Sequence, residues 1–108
     1  MSLRWAFLLG AACSVTPGSI GAVLAQSRDG RLVVREAPVG YPAASAGIAQ
    51  GDEILLIDGR DVRRMTPEQI HLALEGDVGS TVRLTVLTRG RIERLALARA
   101  PLEKRSNR

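Results

Sequence analysis

The residues with chemistry to offer are few. Cys13 and His71 are each the only residue of their kind in a chain of 108. Neither a metal cluster nor any cysteine–histidine pair other than these two can therefore be assembled. A single cysteine also excludes an internal disulfide. Ser45 sits among small residues with no base beside it. Asp52, Asp58 and Asp61 are spaced as turn residues rather than as an acid–base pair. The glycines at 47, 51 and 59 lack the Gly-Lys-Ser/Thr ending of a phosphate loop. The expectation is a binding protein rather than an enzyme, with no cofactor and no metal.

The length accommodates one small domain with a short extension at each end. The net charge is +4, carried by fourteen arginines and one lysine against eleven acidic residues. Arg28, Arg31 and Arg35 fall in one hairpin pattern, and Arg83, Arg89, Arg91, Arg94 and Arg99 in another. Such scatter reads as the solvated face of strands. Aromatic residues make up only 3% of the chain, which removes the stacking platforms of single-strand nucleic-acid binders. Nucleic acid is not an expected partner.

Two helical and several extended patterns supply the frame. Ser19 to Gln26 and Arg31 to Glu36 flank Asp29-Gly30, a strong hairpin signal. Thr66-Pro67-Glu68-Gln69 combines a capping box with proline at the first helical position, and Gly76 stops the helix. Ile70, Ala73 and Leu74 form its core-facing stripe. Thr81 to Thr88 and Ile92 to Arg99 alternate as strands around Arg89-Gly90. Pro101 ends the patterned region, and 102–108 reads as a polar tail.

The N-terminus reads as an export signal. Residues 5–27 are uncharged behind Arg4, and the apolar run Trp5 to Val15 suits a signal-peptide core but is too short to span a bilayer. Two cleavage positions compete. One follows Val23-Leu24-Ala25. The other precedes Cys13, where Gly10-Ala11-Ala12-Cys13 is similar to a bacterial lipobox, though Gly10 stands where leucine is usual. Cys13 is thus either a lipid-anchor candidate or an ordinary apolar leader residue. Cleavage after Ala25 would delete the first strand of the hairpin and leave its partner as a raw edge, so residues from about 13 onward are expected to be retained.

The run Tyr41-Pro42-Ala43-Ala44-Ser45-Ala46-Gly47-Ile48-Ala49-Gln50-Gly51-Asp52-Glu53-Ile54-Leu55-Leu56-Ile57-Asp58-Gly59 joins a short small-residue helix, a Gly-Asp turn, an apolar strand and an Asp-Gly turn. This order resembles the signature of PDZ domains, in particular the circularly permuted ones of secreted bacterial proteases, over about residues 17–100. The resemblance implies an α+β fold, a small, partly open β-barrel or sandwich of about five or six strands with one short and one longer helix. It divides the chain into a leader (1–12), a tether (13–18), the PDZ-like domain (19–101) and the tail (102–108).

The resemblance also implies a site. In the family a peptide adds as an extra strand between the second strand and the long helix. Its terminal carboxylate is held by amides of a loop reading Gly-apolar-Gly-apolar. The matching residues are Ser19-Ile20-Gly21-Ala22, so the amides of Ile20, Gly21 and Ala22 would meet the carboxylate, with Val23 and Leu24 continuing the binding strand. Ser19 departs from the first glycine, and Ala22 from a larger residue, which widens the pocket for the ligand's last side chain. Strand alternation turns Ile20, Ala22 and Leu24 one way, toward Leu74. The competing reading makes these residues plain core. Pro67, His71 and Leu74 share one helix face, which the resemblance places on the groove. A bulky residue in place of Gly21 is expected to abolish binding and leave the fold intact.

The implied function is binding of extended, C-terminal peptide segments of envelope or secreted proteins. The implied location is the periplasm or cell envelope, with a lipid anchor as one option. Two alternatives stand beside it: a scaffold subunit of an envelope or secretion assembly, and the regulatory PDZ of a protease carried on another chain.

Overall fold

The computed structural model describes residues 17–101. The leader (1–12), Cys13 with its lipobox, most of the tether and the polar tail lie outside the described residues. The described residues form an α+β fold of two α-helices, a single 3-10 turn (Val62–Arg64) and two antiparallel sheets. The larger sheet holds β2 (Val23–Gln26), β3 (Leu32–Glu36), β4 (Glu53–Ile57), β7 (Thr81–Thr88) and β8 (Arg91–Ala98) in that spatial order, with β5 (Arg60–Asp61) paired to β4. The smaller sheet has β1 (Pro17–Ser19) between β6 (Gly76–Asp77) and β9 (Ala100–Pro101). Helix α1 spans Pro42–Ser45 and α2 spans Pro67–Leu74.

The expected order of strand, strand, short helix, strand, long helix, strand, strand is present. Four two- or three-residue strands, β1, β5, β6 and β9, are added to it. Two boundaries need correction. Pro17 and Gly18 are not tether: they pair with Asp77 and Gly76 in β1. Ser19 to Gln26 is not one continuous strand either. Gly21 has φ +74°, a left-handed conformation that ends β1 and turns the chain into β2.

Alternation explains the core. Val82, Leu84 and Val86 of β7 face inward with Ile54 and Ile57 of β4, all essentially without exposure, as a one-sided sheet requires. Leu32 and Val34 of β3 and Leu97 of β8 complete that face. The three aspartates act as turn residues. The Asp52 carboxylate accepts from the Ala49 amide at 2.9 Å, that of Asp61 from Arg63 at 2.9 Å, and that of Asp58 from Arg83 at 2.9 Å. Asp58 and Gly59 both have positive φ, 49° and 81°, the signature of a tight hairpin turn. In the first hairpin the Ser27 hydroxyl donates to the Asp29 carboxylate and holds its carboxyl below the usual range. Beside it Arg31 spans to the buried Glu53 at 3.1 Å.

Helix α2 begins as its sequence dictates. The Gln69 amide donates to the Thr66 hydroxyl at 3.1 Å, and the Thr66 amide donates to the Gln69 side-chain oxygen at 2.8 Å. Ile70 and Leu74 face the core. Thr66→Ala orphans one of these amides and is expected to cost about 1 kcal/mol, read as a fall in the midpoint of urea unfolding with an unchanged slope. An unchanged midpoint would mean that the cap does not hold the helix.

Candidate functional site

Strand β2 lies at one edge of the larger sheet, so among the described residues one row of its backbone groups has no neighbouring strand. Helix α2 runs alongside this edge. Between them is a cleft of about 330 Å³, whose lining includes Ser19, Ala22, Leu24 and Gln26 on one side and Pro67, Ile70, His71, Leu74 and Glu75 on the other. Its walls are mostly apolar with a few polar groups at the rim, a composition that favours docking of an apolar chain with fixed orientation.

The two ends of the cleft differ. At one end β1 pairs with β6 through Gly18 and Gly76. This brings the 19–22 loop against the C-terminal turn of α2. At the other end the Gln26 side-chain amide donates to the Met65 carbonyl at 3.1 Å, tying the end of β2 to the segment just before α2. An extended segment lying on β2 would thus have the loop and the helix C-terminus at one of its ends.

Of the residues picked out from sequence, Ser19, Ala22, Leu24, Pro67, His71 and Leu74 line the cleft together. Ile20 does not: it is 1% exposed and belongs to the core cluster. Alternation from Leu24 carries no force at Ile20, because the turn at Gly21 interrupts the strand. The expected grouping of Ile20 with Ala22 and Leu24 is corrected on that ground. Val23 is half exposed and falls outside the cleft lining, as its place between two cleft-facing neighbours requires. His71 is bound to Glu75, Nε2 to Oε2 at 2.9 Å, one helical turn along the rim.

Gly21 has a second constraint. A Cβ there would lie 2.2 Å from Tyr41 Cβ and 2.4 Å from Tyr41 Cγ. The Ala43 amide donates to the Ile20 carbonyl at 2.9 Å, so the loop is fastened to α1 beside this contact. A bulky residue at Gly21 cannot leave the fold intact, contrary to the expectation from sequence.

Gln26, Leu32, Ile70 and Glu75 line the cleft without having been singled out. Gln26 was reachable by extending the period-two series Ala22, Leu24. Glu75 was reachable as the residue one turn past His71. Nothing in the local pattern marked Tyr41.

This architecture, an edge strand facing a helix across a cleft, agrees with comparison to known proteins. The PDZ domain family model matches residues 13–87. The chain belongs to the PDZ domain family. That family comprises non-catalytic binding modules, and among the described residues no three His, Cys, Asp or Glu side chains stand close enough to hold a metal.

Relatives place this PDZ domain beside those of proteases. It is 34% identical over 95 residues to magnetosome formation protease MamE of Paramagnetospirillum magneticum, covering 87% of this chain and 13% of that protein. It is 49% identical over 47 residues to a carboxyl-terminal-processing protease of Picosynechococcus, covering 44% of this chain and 11% of that one. The chain thus spans a small part of the curated relatives it matches. Among solved structures it is similar to the PDZ domain of the carboxy-terminal protease of Vibrio cholerae in complex with peptide. There the TM-score is 0.68 at 29% identity, over 80% of this chain and 96% of that one. It is also similar to the photosystem II D1 C-terminal processing protease, with a TM-score of 0.74 at 25% identity, covering 87% of this chain and 26% of that chain.

Proposed function

We propose that this PDZ domain binds extended peptides through a free C-terminal carboxylate, by adding them as a strand to the open edge of β2. The observation that carries this reading is the edge strand facing α2 across a cleft walled by Ser19, Ala22, Leu24, Pro67, His71 and Leu74. Main-chain bonding to β2, Val23 included, supplies affinity, and the side chains of the cleft supply selectivity. The amides of Ile20, Gly21 and Ala22 receive the carboxylate. A positive-φ residue inside such a loop is the element from which anion nests are made, and Gly21 provides it. Support also comes from the similar Vibrio cholerae domain, whose structure was solved with a peptide.

The ligands in this reading are segments of envelope or secreted proteins, and the domain works in the periplasm or cell envelope. Export rests on the apolar run Trp5 to Val15; among the described residues no helix is long and apolar enough to cross a membrane. A second reading, a regulatory module acting with a protease, is favoured by the named proteases among its relatives.

The test is a fluorescence titration with two random heptapeptide pools, one of free acids and one of amides. The free acids are expected to bind with dissociation constants near micromolar, about 8 kcal/mol, and the amides at least about tenfold more weakly, since a hydrogen bond to a charged group is worth about 1.5–3 kcal/mol. Equal binding of the two pools would remove the carboxylate from the mechanism. Binding of neither would remove peptide recognition.

A further inference from the structure

Arg99 was expected on a solvated strand face, and the structure places it elsewhere. Its side chain folds back against the last turn of α2. Nε donates to the Leu74 carbonyl at 2.8 Å and Nη2 to the Ala73 carbonyl at 3.0 Å. Nη1 donates to the Ser80 hydroxyl at 2.9 Å and to the Thr81 carbonyl at 3.3 Å. All three nitrogens are thereby used, and among the described residues no carboxylate pairs with them. Gly76 makes the approach possible: a Cβ there would stand 2.8 Å from the guanidinium carbon.

The location gives these bonds their meaning. The C-terminus of a helix carries about half a negative charge on its unpaired carbonyls. In this domain that end abuts the 19–22 loop, through the pairing of Gly76 with Gly18. Glu75 adds a carboxylate to the same end of the cleft, where among the described residues it is bound to His71. Two sources of negative potential thus lie where the proposed function puts an incoming carboxylate. Arg99 covers the two α2 carbonyls nearest that end and brings a positive charge not cancelled by an acid.

We propose that Arg99 is a positioning residue for carboxylate recognition: it caps the negative end of α2 and ties α2 to the start of β7, so that the end of the cleft beside the 19–22 loop accepts an anion. This inference rests on the peptide-binding reading and adds to it the source of the preference for a free C-terminus. A purely structural arginine would change stability and leave the preference for acid over amide alone.

The experiment measures binding of the same free-acid and amide heptapeptide pools to the wild-type domain, Arg99→Lys, Arg99→Gln and Arg99→Met. Each is held at a temperature where circular dichroism shows it folded. Arg99→Met is expected to lower the acid-to-amide preference about tenfold, the scale of one unit charge acting through a partly buried path. Its affinity for amides should stay within about threefold. Arg99→Lys keeps the charge but loses the fork, so it should retain most of the preference. Arg99→Gln keeps one donor nitrogen without the charge and should follow Met; it carries the comparison if the Met variant does not fold. A preference unchanged in Arg99→Met or Arg99→Gln overturns the inference and leaves the peptide-binding reading standing. A wild-type domain that holds neither pool overturns both.

Discussion

Gly21→Ala is expected to destabilise the domain by about 3–5 kcal/mol, a large part of the roughly 5–15 kcal/mol that holds a small domain together. Two penalties add. A left-handed φ, here +74°, costs a residue with a Cβ about 1–2 kcal/mol. The new methyl would also be driven into Tyr41, whose Cβ and Cγ lie 2.2 and 2.4 Å from its ideal position. Such overpacking costs about 1–3 kcal/mol where the neighbours can shift. Tyr41 shifts poorly, because it is buried and stands directly before α1, where Ala43 is bonded to Ile20. Thermal unfolding followed by circular dichroism should show Tm falling by more than about 12 °C, at about 4–8 °C per kcal/mol for this size. A fall of less than about 4 °C would mean that the loop can part from Tyr41. Loss of peptide binding in a Gly21 variant is therefore a report on folding, and the loop has to be probed at another residue.

What was legible in the sequence follows from the range of the forces involved. The capping box of α2, the turn bonds of Asp52 and Asp61 and the strand alternation are local, set by residues within four positions of each other. They appear in the structure as their patterns dictate. The short strands β1, β6 and β9 escaped notice because two or three residues carry no period. They exist through pairing between positions far apart in the chain, such as Gly18 with Gly76 and Ser19 with Ala100.

The site divides the same way. Pro67, His71 and Leu74 were found because a helix face is a local property, and Ala22 and Leu24 because a strand face is one. Ile20 was misplaced because a period holds only while the backbone stays regular, and Gly21 breaks it. Arg99 looked like one of many strand arginines. Its difference lies in what the fold carries to it: the two terminal carbonyls of α2 arrive from positions 25 and 26 residues away. No spacing rule covers that distance.

Ala22→Phe separates binding from folding where Gly21 does not. Ala22 is half-buried, lines the cleft next to Leu24 and stands just past the turn rather than in it. Ala22 packs on the margin of the core, and a phenyl ring there projects into the open volume of about 330 Å³. Tm is expected to stay within about 5 °C of wild type, the usual range for a tolerated surface change. Affinity for free-acid peptides ending in a large apolar residue is expected to fall about a hundredfold, the effect of denying one central anchor its pocket. Peptides ending in alanine, with a smaller side chain to seat, should lose about tenfold or less. The order of the losses decides the point. If all peptides weaken equally, the ring is blocking strand addition along β2 and the last side chain goes elsewhere. If none weakens, ligands do not use this cleft. The graded loss arises only if Ala22 leaves space beside the carboxylate for the terminal side chain, which is what the small residue at this position provides.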